Sequence, residues 1–148
     1  MFGIDKGHVT DVRSTHADIM PTLLDMLDLP IPDSVDGLSL YPHLRGEAPP
    51  VGRGDLHIEH APNHHCLTDG HDKYIWWAGD GREQLFDLDE DPNELHDLAT
   101  NPATAERTAA WRQRLIAHLT RRPEGFVRDG QLVVGQPYRA LIPTASTS

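Results

Sequence analysis

The stretch Lys73-Tyr74-Ile75-Trp76-Trp77-Ala78-Gly79-Asp80-Gly81-Arg82-Glu83-Gln84-Leu85-Phe86-Asp87-Leu88 decides the fold. Two short apolar, aromatic-rich runs flank Gly79-Asp80-Gly81, whose glycines allow the positive φ that a tight reversal needs, and the pattern predicts an antiparallel hairpin. The acidic stretch Asp89-Glu90-Asp91-Pro92-Asn93-Glu94-Leu95 follows. Proline cannot donate to a strand ladder, so the second strand ends there, and Asp and Asn suit a helix start. Two of the three Trp and one of the three Phe lie in this hairpin, which therefore holds much of the aromatic core material.

Downstream, residues 93–99 are expected to make two helical turns. The longest helix is predicted over 103–121. Asn101 serves as its N-cap, Pro102 takes the first position, where a missing N–H costs nothing, and Glu106 lies in the first turns, where the helix dipole favours acid. Trp111, Leu115, Ile116 and Leu119, with Ala105 and Ala109, form its apolar stripe. Arg121 and Arg122 sit at the C-terminal end, which favours cations, and Pro123 stops the helix. Residues 126–135 read as a small hairpin or edge strand, and 143–148 as a frayed tail.

Upstream, Leu56-His57-Ile58-Glu59 alternates with period two, as a half-buried strand does, and a second short strand is expected around Cys66-Leu67-Thr68. Ile19, Met20, Leu23, Leu24 and Leu27 share one face of a helix over 19–28, with Asp18 as N-cap and Pro21 in the first turn. Ser39 can cap a single-turn helix through Leu44 that Gly46 ends. Val9–Arg13 can be a short strand, and 47–54, rich in Gly and Pro, reads as a linker. The fold class is α+β: a small antiparallel sheet of about four strands packed against a long C-terminal helix, preceded by one helix. The expected divisions are 1–46, 47–54, 55–122 and 123–148.

The composition narrows the function. A chain of 148 residues can bury one core. Its 13 Lys and Arg against 23 Asp and Glu leave a formal charge of −10, which repels nucleic-acid backbones and anionic membranes. Arg107, Arg112, Arg114, Arg121 and Arg122 are expected to form the solvated face of the long helix. One cysteine excludes an internal disulfide framework. No apolar run approaches the roughly 20 residues of a membrane helix, and Met1–Lys6 has neither a basic nor an apolar leader region, which predicts a cytoplasmic chain.

For chemistry, the richest cluster is His57, Glu59, His60, His64, His65 and His71. In a strand, His57 and Glu59 fall on one face and His60 on the other. Solvated loop histidines, the wall of a ligand pocket and a metal site are the three readings. No His-x-x-x-His falls on an expected helix and no cysteine pair occurs, so no metal ligand is assigned. Cys66 has no Gly-rich oxyanion loop around it, no serine sits in G-x-S-x-G, and no phosphate-cradling glycine loop occurs. The acidic run 87–91 misses the calcium-loop spacing. No catalytic residue is assigned.

Four phrases in order resemble the C-terminal part of the sulfatase family, in the alkaline-phosphatase-like superfamily. They are Thr15-His16-Ala17-Asp18-Ile19-Met20-Pro21-Thr22-Leu23-Leu24-Asp25; Asp36-Gly37-Leu38-Ser39-Leu40 with Leu44-Arg45-Gly46; Asp72-Lys73-Tyr74-Ile75; and Gln84-Leu85-Phe86-Asp87-Leu88-Asp89-Glu90-Asp91-Pro92-Asn93-Glu94. The resemblance implies a C-terminal subdomain lying against a large α/β domain, with helix 19–28 at that domain's edge. It also implies a contribution to the substrate-pocket wall, for which His57, Glu59, His60, His64 and His65 are the candidates. Complete members carry a formylglycine, made within C/S-x-P-x-R, and a divalent cation, usually calcium, held by acidic residues near the N-terminus and an Asp-His/Asn pair in mid-chain. Neither motif occurs in these residues, since Leu67-Thr68-Asp69-Gly70 follows Cys66. The expectation is a part of a sulfuric ester hydrolase, inactive alone, whose sulfate ester substrate needs the catalytic domain. A phosphonate or phosphate ester hydrolase of the same superfamily is the alternative within the enzyme class. A stand-alone interaction or small-ligand module, self-associating through an orphaned apolar face, is the alternative outside it.

Overall fold

A computed structural model describes residues 7, 9, 12–47, 54–60 and 64–136. The chain divides into two compact units, residues 1–56 and 57–148. The 47–54 linker and the 143–148 tail lie largely or wholly outside the described residues, and of the strand expected at Val9–Arg13 the described residues 9, 12 and 13 are not strand.

In the first unit, a 3-10 turn over His16–Asp18 leads into α1, Ile19–Met26. Asp18 is 1% exposed, and it does not cap α1 as its sequence position suggests. Its Oδ2 instead accepts the Thr15 backbone N–H at 2.7 Å and its Oδ1 the Leu38 N–H at 2.8 Å. Thr22 Oγ1 donates to the Asp18 carbonyl and accepts the Leu40 N–H at 2.8 Å. A buried carboxylate needs several donors, and the Thr15 and Leu38 backbone N–H groups supply one to each oxygen. The first two family phrases are thus one hydrogen-bonded body. Gly37 is obligatory there because a Cβ would stand 1.9 Å from the Ala17 carbonyl oxygen. The expected burial of the α1 stripe does not occur: Ile19, Met20, Leu23 and Leu27 are exposed, and Pro21 and Thr22 are the buried residues. The anchoring bonds to 38–40 set which side of α1 turns inward, and that side is not the apolar one. After Ser39, whose Oγ accepts the Tyr41 N–H, α2 spans Tyr41–Leu44.

The second unit carries the sheet. Strand β1 is Leu56–His60, β2 His64–Thr68, β3 Asp72–Trp77 and β4 Glu83–Asp87, in spatial order β1-β2-β3-β4. Both the β2/β3 and β3/β4 pairs are antiparallel, with Leu67 opposite Tyr74 and Tyr74 opposite Leu85. The expected hairpin is therefore β3–β4, turned through Gly81 at φ +80°. Alternation along β3 sends Asp72, Tyr74 and Trp76 to the buried face.

Against that face packs α3, Ala105–Leu119, with Thr108, Trp111, Leu115, Ile116 and Leu119 buried. Asn101 caps its entry by accepting the Ala103 N–H at 3.0 Å. Tyr74, Trp76, Leu67 and Leu85 of the sheet join Trp111, Leu115, Leu119 and Phe126 in one core. A short hairpin follows, β5 Val127–Arg128 and β6 Gln131–Leu132.

Two expectations need correction here. Residues 93–99 form no helix. The Leu98 N–H donates to the Leu85 carbonyl at 2.8 Å, and Asp97 Oδ1 accepts the Leu85 N–H at 3.1 Å. The segment covers the open edge of β4, and satisfying that edge outweighs a short helix. Nor are Arg107, Arg112 and Arg122 part of a solvated face, although Arg121 is exposed. Arg107 joins both Asp72 and Asp87, Arg112 pairs with Glu83 at 2.5 Å, and Arg122 with Glu124 at 2.5 Å. Asp72 and Asp87 face each other across β3 and β4, a repulsive pair until a guanidinium lies between them. Trp111 Nε1 donates to Asp72 Oδ2 at 2.7 Å, locking α3 to the sheet.

A histidine and carboxylate cluster as candidate functional site

The five candidate residues fall into two groups. His57 and Glu59 project from one side of β1, as the period of two requires, and meet His65 of β2. His57 Nε2 lies 3.2 Å from His65 Nδ1, and Glu59 Oε2 lies 3.6 Å from the same Nδ1. His60 and His64 form a separate stacked pair, with ring centroids 5.3 Å apart, and His64 leans on Trp77 at 4.8 Å. His71 stands apart, hydrogen-bonded to Asp89 at 2.9 Å.

The surroundings of the triad are partly apolar. The His65 ring, 4% exposed, has the Phe126 ring edge-on at 4.6 Å and Trp76 stacked at 5.8 Å. His118, in the last turn of α3, stacks 5.9 Å from His57. Arg122 reaches Glu59 at 3.1 Å while Glu124 holds it from the other side.

Burial, and then the neighbouring His65 imidazole, lower the His57 pKa to about 4, with Glu59 opposing. Burial likewise lowers His65, again against Glu59, and lowers His64 with help from His60. At neutral pH these imidazoles are uncharged, so each keeps one ring nitrogen with a lone pair. Cys66, on β2, is buried and its thiol is pushed up to about 11 by that burial, so it is protonated and not nucleophilic.

Sequence reasoning brought out the residues of β1 and β2 but missed His118, Arg122 and Phe126. The signal available was spacing: His118, in the last turn of α3, and Arg122, three residues past its end, are four apart and would share a face if the helix ran on. Only the packing of α3 shows that this face meets β1 and β2.

A four-stranded antiparallel sheet with one long helix, preceded in the chain by the Asp18-anchored body, is the arrangement that the resemblance to the C-terminal part of the sulfatase family implies. The model of the family described as N-sulphoglucosamine sulphohydrolase, C-terminal, matches residues 3–121, and the chain belongs to that family. It is 41% identical over 140 residues to an arylsulfatase of Clostridium perfringens, covering 92% of this chain and 29% of that protein. It is 36% identical over 150 residues to a choline-sulfatase of Rhizobium meliloti, covering 94% and 28%. Among solved structures, the phosphonate monoester hydrolase of Silicibacter pomeroyi superposes with a TM-score of 0.67 at 25% identity, covering 93% of this chain and 32% of that one. The chain spans less than a third of the length of each of these proteins.

Proposed function

We propose that this chain supplies the C-terminal subdomain of a sulfuric ester hydrolase and works with catalytic residues outside these 148. The 41% identity to an arylsulfatase, sustained over 92% of the chain, carries this reading. The formylglycine motif and the calcium ligands of complete family members have no counterpart in the sequence, so no chemical step is assigned to residues of this chain. Its contributions are a pocket wall, for which His57, Glu59, His60, His64 and His65 remain the candidates, and an apolar surface. Ile19, Met20, Leu23 and Leu27 of α1 provide that surface, which would pack on the catalytic domain and otherwise favour self-association. Among the described residues no helix is long and apolar enough to cross a membrane.

The test is a chimera in which this chain replaces the matching C-terminal part of the Clostridium perfringens arylsulfatase. Turnover of an aryl sulfate within about tenfold of the parent is expected, because the chemistry stays with the parent and only the wall changes. A folded chimera without turnover would sink the proposal, as would aryl sulfate hydrolysis by this chain alone. The likeness to the phosphonate monoester hydrolase favours a second reading, the same role in a phosphonate ester enzyme. A chimera that gains phosphonate ester turnover while losing sulfate ester turnover would support it.

A further inference from the structure

We propose that His57 Nε2, His65 Nδ1 and a carboxylate oxygen of Glu59 form a three-ligand site for a divalent zinc-class ion. The three ligand atoms all lie within 4.8 Å of one another. An ion held tetrahedrally by ligands at about 2.0–2.1 Å separates two of them by about 3.3 Å. The His57–His65 nitrogens stand 3.2 Å apart and the Glu59–His65 pair 3.6 Å apart, so two of the three edges already match. The third closes by rotation of Glu59, which sits at the exposed rim while His65 is buried.

The donor chemistry selects the metal. Two imidazoles and one carboxylate suit zinc, and such a set gives little affinity for calcium or magnesium, which take oxygen ligands. This site is therefore different in kind from the calcium expected of complete family members. Its lining serves it as well. Trp76 and Phe126 fix the His65 ring, and ring orientation is what an outer shell contributes to affinity. Arg122, which holds Glu59, has Glu124 as a second carboxylate partner at 2.5 Å. It can therefore yield Glu59 to a metal without being left as an unpaired charge. Three protein ligands leave a fourth position open, as in sites where zinc binds water or an anionic substrate group. The proposal stands apart from the ester-hydrolase reading, since zinc uptake needs no turnover.

The experiment uses the whole chain, purified without a histidine tag and freed of metal with a chelator. Zinc binding is measured by competition with a chromogenic chelator, and Co2+ is added in parallel to read visible absorption. One equivalent of zinc per chain and the intense absorption of tetrahedral Co2+ are expected, with no competition from Ca2+. Glu59→Gln and His57→Ala should each weaken binding by about 100-fold or more, while His60→Ala and His96→Ala change it less than about twofold. Glu59 lies at the surface, so Glu59→Gln keeps the test decisive even where His57→Ala disturbs folding. Absence of stoichiometric zinc, or binding that Glu59→Gln leaves intact in folded protein, overturns the site. In those cases the 3.2 Å contact is a hydrogen bond between two neutral imidazoles. Neither result bears on turnover by the chimera, so the two readings fail independently.

Discussion

In residues 57–148, α3 buries Trp111, Leu115 and Leu119 at 3% exposure or less, whereas in residues 1–56 α1 leaves Ile19, Met20, Leu23 and Leu27 between 47% and 59% exposed. Both helices are amphipathic by the spacing of their apolar residues. The first finds its partner in the sheet of its own unit. The second is anchored through polar groups, Asp18 and Thr22, which take the inward side. An apolar stripe thus states that a helix needs a covering surface, not that the covering surface is part of the same chain. The polar anchors differ as well. In the second unit the charges bolt a finished core together, while in the first the buried carboxylate does most of the organising.

The largest effect expected from breaking this contrast lies in the second unit. Asp72→Ala removes the acceptor of Arg107 and of Trp111 Nε1 and leaves a half-buried guanidinium facing only Asp87. Urea unfolding followed by tryptophan fluorescence should show a loss of about 3–4 kcal/mol, and Asp72→Asn, which keeps an acceptor, a smaller one. A loss below about 1 kcal/mol would mean that the apolar core alone holds α3.

In the first unit, Gly37→Ala places a Cβ against the Ala17 carbonyl. Backbone must move, so a cost of about 2 kcal/mol is expected, read as faster amide exchange at Leu38 and Leu40. Unchanged exchange would show that Asp18 does not organise that unit.

Acid should weaken the second unit. His57 is held near pKa 4 against an ordinary 6.5, so between these values the unfolded chain binds the proton and the folded chain does not. Stability is complete above pH 6.5 and falls as pH drops towards 4, by on the order of 2 kcal/mol once partial exposure is allowed for. Denaturation of metal-free protein at pH 7 and pH 4.5 measures it, and His57→Gln should flatten the dependence. An equal slope in the variant would place the titration elsewhere.

The smallest effect sharpens the comparison most. Leu23→Ser and Leu27→Ser, on the exposed face of α1, should change stability by no more than about 0.5 kcal/mol while reducing the binding of an apolar-surface dye. The same changes in Leu115 would cost several kcal/mol, because a cavity opens in a packed core. Dye binding unaltered by both serine variants would show that the α1 face is not the accessible apolar surface.

Much of the second unit was legible from residues alone. The Gly79-Asp80-Gly81 turn between two aromatic runs decided the β3–β4 hairpin, and the spacing of Trp111, Leu115 and Leu119 decided the buried side of α3. Local geometry governs both, since a turn type and a helical period are properties of neighbouring residues. The helix expected at 93–99 failed because a distant group, the open edge of β4, competed for its backbone. The same limit applies to the candidate site. The period of two put His57 and Glu59 on one face and His60 on the other. His65 joins them from another strand, and His118 on α3 and Arg122 just past it approach from more than fifty residues away.

The sequence by itself determined most of the sheet, the long helix, the family resemblance and the placing of His57 and Glu59 on one strand, because these follow from short-range periodicity, turn chemistry and linear motifs. Tertiary structure alone decided that the helix arginines clamp the sheet, that the α1 stripe is left uncovered, and that His57, Glu59 and His65 converge within 4.8 Å. Those outcomes depend on charges and lone pairs meeting through space, and no spacing along the chain encodes that distance.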